Sequence, residues 1–136
     1  MAEYSNSSLQ SVASQGSVVY TEAPVPCTKG YVRHRDGSGD FLLSGNVGYN
    51  INYGCPCRQN NSVNYLVSYG MNVAIPTGGT VDEISFGLAV NGSVLPDSIV
   101  RVTPTVADAF FNVDKTVNVP IWRGCCQNLS VVNVST

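Results

Sequence analysis

The sequence predicts an all-β chain: a single β-sandwich preceded by an extended N-terminal arm. Three observations predict it. Only 12% of the 136 residues are charged, and the common residues are Val, Ser, Asn, Thr and Gly, a composition that favours strands and turns over exposed helices. Apolar and polar residues alternate in short runs, the period of a strand with two different faces. Turn signals recur every 8–12 residues or so, the spacing of sandwich strands. A chain of this length fits one domain and buries about 68% of the surface it exposes when unfolded.

Residues 1 to about 15 are polar and small, with Leu9 and Val12 as the only large aliphatic side chains. They read as an arm and not as core, ordered on a partner or not at all. Residues 17–22 (SVVYTE) are the first strand, stopped by Pro24 and Pro26. Residues 31–35 are a short strand closed by Asp36-Gly37-Ser38-Gly39, a strong turn signal, and residues 40–43 resume. Residues 45–58 are irregular, rich in glycine, and contain Cys55-Pro56-Cys57.

Residues 62–74 form the longest strand candidate. Tyr65, Val67, Tyr69, Met71 and Val73 share one face; Leu66, Ser68, Gly70 and Asn72 share the other. Residues 81–90 and 93–95 flank Asn91-Gly92, which suits a type I′ turn with both central residues at positive φ. Ile84, Phe86, Leu88 and Val90 alternate there with Ser85, Gly87 and Ala89, and the small side permits close approach of another backbone. Residues 98–103, 106–113, 116–122 and 127–134 complete about nine short strands. Residues 106–111 (VADAFF) are also compatible with one helical turn.

The formal net charge is −2, without the basic stripe that marks a nucleic-acid surface. Lys29, Arg33, His34 and Arg35 form one small basic cluster, read as a solvated strand edge. No segment approaches the roughly 20 apolar residues of a membrane span, so no membrane partner is expected. The opening MAEYSNSSLQ has no basic start and no apolar run, so the expectation is assembly in a cytoplasm. Sequons such as Asn91-Gly92-Ser93 and Asn133-Val134-Ser135 then carry no glycan.

The five cysteines, Cys27, Cys55, Cys57, Cys125 and Cys126, leave one over from any closed set of pairs. In a cytoplasm they start reduced. Adjacent Cys125 and Cys126 point to opposite faces of extended backbone, which disfavours a bridge between them. Cys55, Cys57, Cys125 and Cys126 are a weak candidate metal set, because structural zinc sites usually space a ligand pair by two to four residues. Buried or half-buried thiols are the favoured reading, with a bridge from Cys27 to Cys55 or Cys57 as the remaining one.

His34 is the one histidine, flanked by two arginines that oppose a positive imidazole. No nucleophile motif and no glycine-rich phosphate loop accompanies it. Asp82 and Glu83 are adjacent, hence on opposite faces of a strand and poorly placed as a carboxylate pair. Asp36-x-Ser38-x-Asp40 faintly follows a calcium loop, without its downstream Glu, and reads as a turn. The expectation is a protein with no enzymatic activity and no cofactor.

The order VPCTKGYVRHRDGSGDFLLSG, then YLVSYGMNVAIPTGGTVDEISFGLAVNGSVLP, then VNVPIWRGCCQNLSVVNVS resembles the C1q/TNF-like jelly-roll modules of tailed phages and prophages of gut Firmicutes. The resemblance runs from about Tyr20 to the end. The turn after His34-Arg35, the IPTGG loop, the AVNG hairpin and the Gly-Cys-Cys before the last strand carry it. It implies a jelly-roll domain over residues 20–136, assembled as a homotrimer on a virion as a head decoration or head fibre protein. Residues 1–19 would be the arm that attaches it to the major capsid protein, with Tyr4, Leu9 and Val12 as spaced contacts.

Members that this chain resembles tend to carry one more apolar strand after the segment matching VNVST. Leu129 and Val131 lie on one face of the last strand here, and Val132 and Val134 on the other. Either the sheet closes without that strand or a neighbouring subunit covers the edge, and subunit packing is the favoured explanation. The alternative function is recognition of a host-surface glycan, for which Tyr49, Tyr53 and Trp122 are the candidate aromatics.

Overall fold

The computed structural model describes residues 2–27, 30–45, 62–122 and 126–135. Among them the regular structure is all-β: ten strands and one 3₁₀ turn. The strands are β1 (Glu3–Ser5), β2 (Glu22–Val25), β3 (Val32–His34), β4 (Phe41–Leu43), β5 (Ser62–Val73), β6 (Ile84–Val90), β7 (Ser93–Val94), β8 (Val100–Val102), β9 (Phe111–Trp122) and β10 (Gln127–Asn133).

One antiparallel sheet runs β3-β4-β10-β6, with β7 and then β8 on the far edge of β6. A second sheet pairs β5 with β9 over twelve positions, from Ser62↔Trp122 to Val73↔Phe111. Their apolar faces meet in one core of Phe41, Leu43, Phe86, Leu88, Leu129 and Val131 against Tyr69, Val73, Val113, Val119 and Ile121. This is a sandwich arrangement. Leu88, Val119 and Ile121 are fully buried, and each such side chain stabilises the fold by about 1.5–3 kcal/mol.

The alternation read along residues 62–74 holds. Tyr69 and Val73 are buried, whereas Leu66, Ser68, Gly70 and Asn72 are exposed on the outer face. The Asn91-Gly92 turn holds as well, with φ of 50° and 86°. Gly87 is the close approach expected of the small side of β6. A Cβ there would lie 3.2 Å from Ile99 Cγ1 and 3.3 Å from Val94 Cγ1.

Four expectations are corrected. The strand expected over residues 17–22 is reduced to isolated bridges, Ser17↔Val132 and Tyr20↔Ser38. The regular strand lies instead at Glu22–Val25 and includes Pro24, which a strand paired on one side only, with β1, accommodates. The strands expected at 106–113 and 116–122 are one strand, β9. Asp114 and Lys115 do not break it, because β5 offers a partner at every position. Neither a strand nor a helical turn forms over residues 106–110; the chain bends there and Asp108 takes a φ of 62°.

The fourth correction concerns β10. It is not an edge strand awaiting a second subunit. β6 covers one side, and β4 pairs with Gln127, Asn128 and Leu129 on the other. Beyond β4 the chain's own residues 15–18 take over. Val18 N–H donates to Val131 O and Asn133 N–H donates to Gly16 O, each at 2.8 Å, and Gln15 N–H donates to Asn133 O at 2.8 Å. Both hydrogen-bonding edges of β10 are thus filled within one chain, while of its two faces Leu129 and Val131 are buried and Val132 and Val134 half-buried.

Candidate functional site

The segment expected to project as an arm is folded back along the sandwich. Its composition explains how: it has no apolar run, so the β1–β2 backbone pairing and polar side chains do the docking. Asn6 Nδ2 donates to Val19 O at 2.9 Å. Gln10 pairs with both sides of the same residue, donating from Nε2 to Val19 O and accepting from Val19 N–H, each at 3.0 Å. The Gln10 amide thereby takes the place of a strand partner for Val19. Asn6 Oδ1 accepts from Ser8 N–H at 2.9 Å, a local Asx turn that redirects the chain. Ser7 Oγ donates to Glu22 Oε1 at 2.8 Å, and Asn133 Nδ2 donates to Val12 O at 2.9 Å.

Two apolar anchors add to this. Tyr4 and Val12 are half-buried against the core. Tyr4 belongs to a cluster with Tyr20, His34 and Phe41. Its ring meets His34 and Phe41 edge-on, both at 5.0 Å, and Tyr20 meets Phe41 edge-on at 5.3 Å. His34 stacks on Phe41 at 4.2 Å with 17° between the planes. The Tyr4 hydroxyl accepts from Cys27 N–H at 3.4 Å. Gly39 permits the approach from below, since a Cβ there would lie 2.8 Å from Ser17 Cβ and 2.9 Å from Val18 O.

His34 is the chemically informative member. Nδ1 lies 3.0 Å from Asp40 O and Nε2 lies 3.1 Å from Tyr20 O. Arg33 and Arg35, its neighbours, are exposed on the opposite face of the strand. Desolvation by burial pushes the Tyr20 phenol up to about 12, with the nearby Tyr69 phenol adding to the effect. Burial alone pushes Tyr69 up to about 12. Both phenols remain neutral, and Tyr69 OH donates to Ser98 O.

The structure thus brings Tyr4 and Val12 into one docking seam and leaves Leu9 87% exposed. Trp122 lies elsewhere, at the end of β9, 65% exposed. Tyr49 and Tyr53 lie outside the described residues, as do Cys55, Cys57, Cys125 and Lys29. Cys126 is disulfide-bonded. Its reading as a free thiol is therefore corrected, and a sulfur held in a disulfide has no thiolate to offer the metal set proposed from sequence. Among the described residues, no three of His, Cys, Asp or Glu gather where they would hold a metal ion.

Sequence reasoning missed Asn6, Gln10 and the inward position of His34. A signal for the last was present: in a strand, His34 must face away from both Arg33 and Arg35. Nothing marked Asn6 or Gln10, whose partner is a backbone group nine to thirteen positions away in an irregular segment.

Compared with protein-family models, with curated proteins and with solved structures, the chain matches none.

Proposed function

We propose that this chain is a structural protein of a tailed-phage virion, a jelly-roll head decoration or head fibre protein that acts as a homotrimer. Residues 1–19 attach it to the major capsid protein. The order of motifs from Tyr20 onward supports the family, and one structural observation supports the role of the segment. Residues 2–14 lie against the rest of the chain through the short β1–β2 pairing, exchangeable polar contacts and two anchors, Tyr4 and Val12, while Leu9 faces solvent. Such a seam can be traded for equivalent contacts on a second protein, in the manner of an extended peptide added to a sheet. Three segments per trimer would act together and convert modest contacts into firm attachment.

The experiment is co-sedimentation with capsids. The full chain is expected to decorate them, and a chain lacking residues 2–13, which keeps the 15–18 ladder on β10, is expected not to. Undiminished occupancy by the shortened chain overturns attachment through this segment; no binding by the full chain overturns the virion role. Light scattering is expected to give three chain masses, and a monomer at micromolar concentration overturns the trimer.

The exposure of Trp122 favours one second reading, recognition of a host-surface glycan. Quenching of the single tryptophan by mucin-type glycans, lost in Trp122→Ala, is its test.

A further inference from the structure

We propose that His34 is a protonation-dependent latch that holds the N-terminal segment on the sandwich. Both of its ring nitrogens face backbone carbonyls, Asp40 O at 3.0 Å and Tyr20 O at 3.1 Å. A carbonyl only accepts. A neutral imidazole has one N–H, so one nitrogen presents a lone pair to an oxygen lone pair. The imidazolium donates from both nitrogens and satisfies both carbonyls, with the added strength of a charged donor. The two carbonyls belong to different parts of the fold. Asp40 immediately precedes β4, whereas Tyr20 closes the segment that runs along β10 and leads into β2. The proton on His34 therefore ties that segment to β3 and β4.

Tyr20 is well placed to transmit the effect. Its N–H donates to Ser38 O at 3.1 Å, and the next residue, Thr21, donates to Ser5 O at 3.1 Å. Tyr4 rests its ring edge on His34 at 5.0 Å. Tyr20 O also accepts from Gly37 N–H at 2.9 Å, so loss of the His34 bond removes one of two bonds to that carbonyl and loosens, without opening, the junction through which the first twenty residues are held.

The groups around the ring leave the proton on His34 in control. The phenols of Tyr4 and Tyr20 face it from β1 and from the docked segment, and burial holds the Tyr20 phenol neutral. Arg33 and Arg35 flank it but are exposed and point away. Asp36 and Asp40, in the turn that follows, have exposed carboxylates of the sign that favours a cation. On β2, Glu22 is engaged by Ser5 and Ser7. Protonation of the ring therefore strengthens docking, and loss of the proton weakens it. What the latch releases rests on the attachment reading above: an undocked segment is the one free to bind a capsid.

The test uses the full chain, with amide exchange read as protection relative to the intrinsic rate. From pH 5.5 to pH 8, protection at Tyr20 and Thr21 is expected to fall about tenfold, the equivalent of one charge-assisted hydrogen bond, while Leu95 in the β6 hairpin stays unchanged. His34→Gln is expected to remove that dependence. Equal protection at both pH values overturns the latch, and so does a pH dependence that survives in His34→Gln. Should that variant fail to fold, the single histidine makes a second measurement direct. In wild-type protein with labelled histidine at pH 5.5, both ring N–H protons are expected to exchange slowly with water, and rapid exchange of both overturns the proposal. Capsid co-sedimentation at the two pH values then separates the claims: protection that responds to pH without a change in occupancy leaves the latch standing and sinks the attachment reading.

Discussion

Asn91 and Asn128 exchange two hydrogen bonds. Asn91 N–H donates to Asn128 O and Asn128 N–H donates to Asn91 Oδ1, both at 2.9 Å. The tip of the β6–β7 hairpin is thereby tied to the start of β10, one position beyond the Leu129↔Val90 pair. Asn91 both adopts the positive φ that the turn needs and spends its side chain on the neighbouring strand. Two substitutions separate these roles. Gly92→Val is expected to cost about 1–3 kcal/mol, because a β-branched residue resists that backbone region. Asn91→Gly keeps the turn and loses only the side-chain bond, at about 1 kcal/mol. Denaturant midpoints measure both, and a larger loss in Asn91→Gly than in Gly92→Val would show that the tie to Asn128 outweighs the turn.

Ser98→Ala is expected to destabilise by about 1–3 kcal/mol, more than an average surface change. β7 and β8 cover β6 one after the other, leaving a gap opposite Leu88. The fully buried Ser98 hydroxyl fills it, accepting from Leu88 N–H at 2.8 Å and donating to Leu95 O at 2.6 Å. Alanine leaves a buried N–H without that partner. Thermal unfolding of the variant measures the cost, and an unchanged midpoint would mean that water enters the gap.

Gly39→Ala is expected to lift residues 17–18 from the turn before β4. The added methyl would sit 2.8 Å from Ser17 Cβ and 2.9 Å from Val18 O, and backbone cannot yield as a flexible side chain does. The expected penalty is about 1–3 kcal/mol. The diagnostic readout is local: faster amide exchange at Val18, whose N–H donates to Val131 O. Loss of protection throughout the molecule instead would mean that the seam and the core unfold together.

Alkaline unfolding is expected to begin between pH 10 and about 12. Burial holds the Tyr20 and Tyr69 phenols up to about 12 in the folded chain, against 10.0 for the free side chain. Below pH 10 folded and unfolded forms bind these protons equally, and the contribution of the two tyrosines is intact. Above it the unfolded chain releases them first, so stability falls as pH rises. Tyrosinate absorbance followed with circular dichroism tests this. Ionisation of every tyrosine before any loss of sheet signal would contradict the burial of these two.

Local chemistry alone determined much of this protein. The alternation over residues 62–73 placed Tyr69 and Val73 inward and Leu66 outward, because successive side chains of a strand have no other choice of face. Asn91-Gly92 determined a turn, because few residues accept positive φ at both of its centres. Tertiary structure decided what depends on partners distant in the chain. The continuity of β9 through Asp114 and Lys115 comes from twelve pairing positions on β5, and no window on β9 itself contains them. The fate of residues 2–21 was decided in the same way. Their polarity reads as an arm because hydrophobic pattern is the signal a sequence displays. What docks them is hydrogen bonding by Asn6 and Gln10 to one backbone residue, the β1–β2 pairing, two ring nitrogens of His34 aimed at carbonyls, and a strand, β10, whose second half is bonded by residues 15–18. Such bonds depend on where backbone groups end up in space, and that is set only when the sheet has formed.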